Sequence, residues 1–209
     1  LEAINCTMIR ENVAEIPAMF DLAQRLGAPA LNLIGFKPCA GHDHGVLTPE
    51  EHAAAIGGAC AASERTGVGF FFDEPFFKAA SREWRCAPPP ARGTAGILLP
   101  EVPGCIMGRY LFIDTDGSVK PCSFSPMTVG NVRDTALDAV WEGVGASGFF
   151  ARIRDPRHRT GACGSCAHAA DCGGCRTRTF MLTGDWFASD PCCPLAVAER
   201  QTLAAGAAS

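Results

Sequence analysis

Several features of secreted, membrane and nucleic-acid-binding proteins are missing from this sequence. No run of about 18 uncharged apolar residues appears, and a membrane-spanning helix needs one. The first residues, LEAINCTMIRENV, lack the basic start and the apolar run of a signal peptide. A net charge of -4 over 209 residues gives no basic field for phosphate groups. We therefore expect a cytoplasmic protein with neither a membrane nor a nucleic acid as partner.

Cysteine, by contrast, is abundant, with twelve residues in 209. A disulfide scaffold of a secreted protein is the alternative explanation, but such small domains lack the long amphipathic and alternating segments present here, and 47% hydrophobic residues are ample for a core. Four cysteines are scattered through the first half, and eight lie between 105 and 193. This asymmetry indicates a cysteine-poor scaffold followed by a metal-binding module.

The first half of the chain alternates between strand and helix patterns. In order these are a strand in LEAINCTMI, a helix over 12–26, a strand over 30–36, a helix over 48–65 capped by a TPEE signature, and a strand in VGFFF. The alternation predicts right-handed parallel βαβ units that resemble part of an α/β barrel. Because the chain starts at Leu1, inside a predicted strand, we expect a fragment or a processed chain.

In such folds the ligand site lies at the carboxyl ends of the strands. Here these ends are the segments 7–12, 37–44 and 73–75. Thr7, Arg10 and Asn12 are candidates for cofactor contacts, with a surface helix start as the alternative reading.

Two other polar groups follow predicted strands. Cys39, His42 and His44 could be metal ligands, but a polar surface loop is favoured because no fourth ligand lies nearby. Asp73 and Glu74 could form an acid/base pair or a solvated strand end.

The second half is set off by a proline-rich stretch over 86–104. The sequence RYLFIDTDGSVKPC then predicts a β-hairpin that turns at Asp116-Gly117 and brings Cys105 near Cys122. A short helix is expected over 135–141. The arginines that follow, at 152, 154, 157 and 159, are most simply solvated, and no aromatic platform accompanies them for nucleic acid.

Residues 163–175 carry the motif CxxCx5CxxC in a segment of small residues that cannot bury enough apolar surface to hold its own shape. Zinc competes with iron–sulfur for paired CxxC motifs. Zinc ribbons, however, separate the two pairs by a dozen residues or more, and here the gap is five. The spacing therefore favours an iron–sulfur site.

These motifs in order, CIMGRYLFIDTDGSVKPC, GNV, Trp141, CGSCAHAADCGGCR, LTGD and DPCC, resemble the SPASM domain over residues 105–194. This is the auxiliary iron–sulfur module at the carboxyl end of certain radical S-adenosylmethionine enzymes, which include maturases of ribosomal peptides and haem-modifying enzymes. Residues 1–80 also look like the later strands and helices of the partial barrel of those enzymes, with NCTMIRENVAEI and LIGFKP in the expected order.

The resemblance implies two auxiliary 4Fe-4S clusters. Cys105, Cys122 and Cys175, the first cysteine set, would hold one cluster. Cys163, Cys166 and Cys172, the second cysteine set, would hold the other together with a late cysteine, for which Cys193 fits the DPxC position. This chain has CGGC where many relatives have three intervening residues, and no extra cysteine lies between 105 and 122. The first cluster therefore lacks an assigned fourth thiolate, which Cys192 could supply unless the site stays open.

The CxxxCxxC motif that binds the S-adenosylmethionine-cleaving cluster is absent from these residues. We therefore do not expect this chain to start radical chemistry, and leave open whether it is itself an enzyme. What remains is electron transfer and substrate engagement, with the amides of Gly173 and Gly174 tuning the clusters through hydrogen bonds to sulfur. The complete enzyme would use S-adenosylmethionine on a peptide or a tetrapyrrole-like substrate, with a peptide chaperone or an electron donor as a further partner. The alternatives are a stand-alone iron–sulfur carrier or binding module and a zinc structural domain.

The predicted architecture is thus α/β, the C-terminal part of a partial (β/α) TIM-like barrel followed by a small cysteine-rich module with a β-hairpin and short helices. The predicted domains are the barrel part at 1–85, a proline-rich linker at 86–104, the cluster-binding SPASM domain at 105–195 and a tail at 196–209.

Overall fold

The computed structural model describes residues 2–38, 44–84, 86 and 104–195, and it divides the chain into two compact units. The sheet unit holds the first half of the chain and the residues from Pro191 onward. The cysteine unit holds the segment from Val102 to Asp190, together with the loop from Lys37. Most of the predicted linker, the tail at 196–209, Cys39 and His42 lie outside the described residues. In the described part of the chain, no helix is long and apolar enough to span a membrane.

The sheet unit is built on three parallel strands in the order β1-β2-β3. They are β1 (Ile4–Met8), β2 (Ala30–Gly35) and β3 (Gly69–Asp73), and three helices accompany them: α1 (Ile16–Arg25), α2 (Pro49–Thr66) and α3 (Phe77–Glu83). Strand β1 pairs with β2 from Ile4 opposite Leu31, and β2 pairs with β3 from Ala30 opposite Gly69. The predicted α/β alternation is confirmed, whereas closure into a barrel stays a prediction.

Local sequence explains where these elements begin and end. A 3-10 turn at Val13–Glu15 precedes α1, so the α-helix starts later than the predicted Asn12. Helix α2 has the full capping box: the Thr48 hydroxyl accepts the Glu51 N–H at 3.1 Å, and the Glu51 carboxylate accepts the Thr48 N–H at 2.7 Å. It ends at Gly67, whose φ of 72° is a left-handed conformation that glycine adopts without strain.

The core of the sheet unit is apolar. Aromatic rings of the strands meet helix side chains, with Phe20 edge-on to Phe70 at 5.7 Å and Phe72 stacked on Phe77 at 5.2 Å between ring centroids. A disulfide joins Cys60 on α2 to Cys86 after α3, with 5.8 Å between the Cα atoms. This pairing was not predicted from the sequence.

The cysteine unit contains a small antiparallel sheet and four short helices. The strands are β4 (Phe112–Ile113), β5 (Ser118–Lys120) and β6 (Gly130–Asn131), and the helices are α4 (Leu137–Ala146), α5 (Gly148–Arg154), α6 (Gly161–Ser165) and α7 (Arg176–Thr183). The predicted hairpin is present, and Gly117 supplies its turn with a φ of 86°. In the apolar core of the cysteine unit, Met107, Val144 and Phe150 are buried together, and Cys105 and Cys122 pack against them.

Candidate iron–sulfur site

Cys105 and Cys122, two members of the first cysteine set, lie close together at the start of helix α7. Both pack against the same apolar cluster of Met107, Val144 and Phe150. The backbone N–H groups of Arg176 and Met107 lie near the Cys105 sulfur and favour its thiolate form. In the same set, the Cys175 sulfur accepts the Arg178 N–H at 3.5 Å. Arg176 is the first residue of α7 and follows Cys175, which is its N-cap. The hairpin and the start of α7 therefore bring Cys105 next to the segment that carries Cys175.

Burial raises the pKa of the Cys105 thiol, and the two backbone N–H groups and the charge of Arg176 act in the opposite direction. A buried thiol of this kind favours the neutral form unless a positive partner compensates its thiolate. A bound metal supplies that compensation, because it deprotonates the thiols that coordinate it.

Tyr110 adds a polar contact near Cys122. Its hydroxyl accepts the Ser123 N–H at 3.1 Å and lies near the Cys122 sulfur. Burial raises the pKa of Tyr110, and the contact with Cys122 raises it further, so the phenol stays protonated and can donate to sulfur.

The second cysteine set lies on α6 and the turns that follow it. Cys163 is inside α6 and Cys166 is its C-cap, whereas Cys172 belongs to the next turn. The Cys166 sulfur accepts the His168 N–H at 3.3 Å, and the Cys172 sulfur accepts the Gly174 N–H at 3.3 Å. Backbone N–H donation to sulfur is the contact that tunes cysteine ligands of iron–sulfur clusters.

The backbone also brings the two sets together. Gly104, with a φ of 75°, approaches so closely that a Cβ there would lie 2.0 Å from the carbonyl oxygen of Cys172. Only glycine fits at such a contact. Because Cys105 follows Gly104 directly, the backbone at Cys105 of the first set lies close to that of Cys172 of the second set.

A buried ion pair fixes the start of α7. The Asp190 carboxylate accepts the Cys175 N–H at 2.8 Å, and Arg178 donates to both of its oxygens at 3.1 and 2.7 Å. Both side chains are 0% exposed. A bidentate pair of this kind restricts orientation as well as position, so Cys175 is held by its own backbone.

Two further arginine heads lie against the CGGC loop. A Cβ on Gly173 would be 2.5 Å from the Arg159 Cζ atom, and a Cβ on Gly174 would be 2.9 Å from Arg176 Nη2. Arg159 donates to the carbonyl of Ala169, and Arg176 Nη1 donates to those of Trp186 and Ala188 at 3.0 and 2.7 Å. The interpretation of Arg159 as solvated is therefore wrong. Arg154 is also partly buried and donates to the carbonyl of Gly108 at 3.1 Å.

The residues of this unit fit an iron–sulfur cluster in their chemistry. Cysteine sulfurs already accept backbone N–H groups, and Arg159 Nε and both Arg176 Nε and Nη2 are buried donors without an acceptor among the described residues. An anionic group between the cysteines would satisfy such donors. Within the described ranges, no group of three or more Cys, His, Asp or Glu side chains is arranged to hold a single metal ion.

An open apolar groove of about 490 Å³ borders β6, α4 and α5. Its walls include Val129, Val140, Val144, Phe149 and Phe150, and no charged side chain lines it. Any occupant would therefore make mainly apolar contacts there.

In the sheet unit, Thr7, Arg10 and Asn12 are engaged in local structure. Asn12 accepts the Ile9 N–H at 2.9 Å and donates to the Thr7 carbonyl at 3.0 Å, which closes the turn after β1. Arg10 donates to the Val46 carbonyl at 2.8 Å and pairs with Glu51 at 3.2 Å. The Asn12 contacts close the turn and the Arg10 contacts join it to the start of α2, and the role of the three residues toward a cofactor stays a prediction.

The remaining candidates are placed as follows. Glu74 is 5% exposed, so it is not a solvated strand end, whereas Asp73 and His44 are exposed. Cys192 is buried and Cys193 is half-buried, and both belong to the sheet unit. Their assignment as cluster ligands stays a prediction.

Sequence reasoning missed Arg159, Arg176 and the Arg178–Asp190 pair. Charged side chains at 176 and 178 follow directly on the last cysteine of the motif, and Asp190 begins the DPCC segment. Their adjacency to cysteines was the available signal, but the inward direction of the side chains depends on residues far away in the chain.

Comparison with known proteins agrees with this site. Residues 105–168 match the family model of SPASM, described as an iron-sulfur cluster-binding domain. The resemblance predicted from the cysteine motifs is thereby confirmed, and so is iron–sulfur binding by this domain. The number of clusters is not decided by the match.

Several curated proteins are similar to this chain, two of the three described here over most of its length. An AdoMet-dependent heme synthase of Oleidesulfovibrio alaskensis is 31% identical over 91% of this chain and 50% of its own length. A PqqA peptide cyclase of Gluconobacter oxydans is 28% identical over 92% and 51%. A Pre-heme d1 synthase of Dinoroseobacter shibae is 45% identical over 43% of this chain and 22% of its own length. The chain thus spans about half the length of the first two, and its similarity to the C-terminal part of radical S-adenosylmethionine enzymes is confirmed.

Proposed function

We propose that the cysteine unit binds two auxiliary 4Fe-4S clusters, one at each cysteine set, and that it passes electrons and engages substrate in a radical S-adenosylmethionine enzyme. The first set would hold its cluster with Cys105, Cys122 and Cys175. The second would use Cys163, Cys166 and Cys172. Cys192 and Cys193 are the candidates for the missing fourth positions.

The observation that carries this proposal is the donation of backbone N–H groups to sulfur in both sets. The Cys175 sulfur accepts the Arg178 N–H at 3.5 Å, and the Cys172 sulfur accepts the Gly174 N–H at 3.3 Å. These bonds lower the basicity of the thiolates and favour an added electron on a cluster that they hold. A cluster of this type supplies one-electron chemistry, while the chain determines its position, its access to solvent and its potential.

The substrate of the complete enzyme is proposed to be a peptide or a tetrapyrrole-like molecule. The names of the relatives support both classes, since they include a peptide cyclase and heme synthases. The uncharged groove beside α4 and α5 supports an apolar contact with either class. S-adenosylmethionine, together with a peptide chaperone or an electron donor, completes the proposal.

The test is anaerobic reconstitution of the 209-residue chain with iron and sulfide, followed by iron and sulfide analysis and EPR of the reduced protein. Two 4Fe-4S clusters require about eight irons per chain. Cys166→Ala should remove one cluster signal and leave the other. Cys6→Ala is the matched control, because Cys6 lies in β1 and is assigned to neither set.

Three results would point elsewhere. About four irons with a single signal would reduce the proposal to one cluster. Tightly bound zinc without an iron signal would establish the zinc structural domain. The third result concerns the native protein with its complete upstream sequence. If that sequence contains no CxxxCxxC motif and the protein still binds its full complement of iron, the stand-alone carrier is favoured.

A further inference from the structure

The two glycines of the CGGC loop each leave room for one arginine head. Gly173 and Gly174 have φ values of 85° and 62°, which any other residue adopts with strain. Arg159 lies against the first glycine and Arg176 against the second. The loop connects Cys172 of the second set with Cys175 of the first, so the two guanidinium groups lie along the segment that separates the sets.

These arginines retain hydrogen-bonding capacity that the described residues do not use. Arg176 is 1% exposed, yet its Nε and Nη2 atoms have no acceptor, and Arg159 Nε is also buried without one. A buried charged donor without an acceptor destabilises the fold. The like charges of the two arginines also repel each other. This repulsion lowers the pKa of Arg159, although burial lowers it more.

Cysteines of both sets lie near Arg159: Cys172 and Cys163 of the second set and Cys105 of the first. The backbone contact between Gly104 and Cys172 brings the two sets to this same point. The backbone N–H of Arg176 in turn lies near Cys105.

We propose that Arg159 and Arg176 form a cationic pair between the two cluster sites and raise the reduction potentials of both clusters. The inference rests on the proposed function, since it needs both cysteine sets to be loaded. Each reduction adds one electron from an external reductant to a cluster, with no bond made or broken and no proton moved. A nearby positive charge stabilises the added electron, and a shared pair also weakens the repulsion between two anionic clusters.

The arginines also bind carbonyl groups, so the test must separate a charge effect from a structural one. Arg159→Gln and Arg176→Gln remove the charge, whereas Arg159→Lys keeps it. Arg133→Gln is the matched control, because Arg133 is an exposed arginine of the same unit that lies over the hairpin turn at Gly117. Each chain is reconstituted anaerobically, its iron is counted, and both EPR signals are followed during a titration with dithionite.

We expect Arg159→Gln to make reduction of both clusters about tenfold less favourable, which corresponds to about 59 mV for a one-electron couple. Arg159→Lys should restore most of the potential, and Arg133→Gln should leave both potentials at the wild-type value. Loss of iron in Arg159→Gln, with retention in Arg159→Lys, supports the pair as well, since the charge is then needed to hold an anionic cluster.

Unchanged potentials in Arg159→Gln overturn the inference, as does an equal change in the Arg133→Gln control. A shift in one signal alone overturns the placement between the sites. If Arg176→Gln does not fold, the two Arg159 variants decide the question. A wild-type chain that binds no iron refutes the proposed function instead, so the two failures are distinguishable.

Discussion

The sheet unit and the cysteine unit bury different kinds of residue. Strands β1 to β3 and their helices bury mostly Phe, Leu, Ile and Ala side chains, with His52, Ser63 and Glu74 as scattered buried polar residues. The cysteine unit instead buries the consecutive residues Arg176, Thr177, Arg178 and Thr179, together with Asp190, beside two buried cysteines. Apolar burial stabilises a fold without help, whereas buried charge requires partners. The comparison leads us to expect that the second unit depends more on a bound group than the first does.

The largest expected effect is that of iron removal. We expect hydrogen exchange of amides in the cysteine unit, such as Val119 and Gly174, to be slow only in the reconstituted chain, because cluster binding and folding are coupled in such modules. Amides of β2 should exchange at the same rate with and without iron. Equal protection of the cysteine unit in both states would remove the contrast between the units.

The buried ion pair gives the next largest effect. Asp190→Asn leaves the Arg178 charge without its counter-charge, which destabilises proteins by about 3–5 kcal/mol. We expect a lower urea midpoint for the cysteine unit and a reduced iron content. Asp155→Asn serves as the control: half-buried Asp155 pairs with the exposed Arg157 at 2.7 Å, and the hydrogen bond from Arg157 lowers the pKa of Asp155 to about 2. A similar loss of iron in both variants would contradict a specific role for Asp190.

Removal of the disulfide should destabilise the sheet unit and leave the cysteine unit unaffected. Cys60 and Cys86 are separated by 26 positions, and closing a loop of this size stabilises a fold by about 2–4 kcal/mol. We expect Cys60→Ser to lower the unfolding free energy of the sheet unit by that amount without changing the iron content. Thermal unfolding followed by far-UV circular dichroism tests the loss of stability, and iron analysis of the same variant tests the unchanged iron content. A loss of iron would show that the units are not energetically separate.

The smallest effect concerns the start of α2. Thr48→Ala removes the hydroxyl that accepts the Glu51 N–H, and loss of such a cap costs about 1 kcal/mol. We expect a lower unfolding midpoint for the sheet unit alone, measured by urea titration. Thr48→Ser keeps the acceptor and should behave like the wild-type chain. If the serine variant were equally destabilised, the cap would not be the cause.

Local patterns predicted much of the sheet unit and of the hairpin. The TPEE signature located the start of α2, and Asp116-Gly117 located the turn between β4 and β5. Both depend on residues within a few positions of each other. Helix α4 was placed less well: it runs to Ala146, through Gly143 and Gly145, which have a low propensity for helix.

The sequence pointed to cysteines for the candidate site but not to its arginines. Cysteine spacing is a local signal of cluster binding, and the match of residues 105–168 to an iron-sulfur cluster-binding domain agrees with it, whereas the individual ligands stay a prediction. The direction of Arg159 depends on Ala169 and Gly173, and that of Arg178 on Asp190. From the sequence alone a charged residue is predicted to be solvated, because burying a charge is costly unless partners from elsewhere in the chain compensate it. The disulfide between Cys60 and Cys86 was missed because its two residues are 26 positions apart and no local pattern indicates the pairing.

The separation of the cysteines along the chain has a consequence for the order of assembly. The second set spans ten positions, whereas Cys105 and Cys175 of the first set are seventy apart. Closing a longer loop costs more chain entropy and is slower. During synthesis the second set therefore becomes complete within one short segment, while the first must wait for the hairpin to dock on α7. We expect the two sites to fill in sequence, with the local one as the template on which the distant one closes.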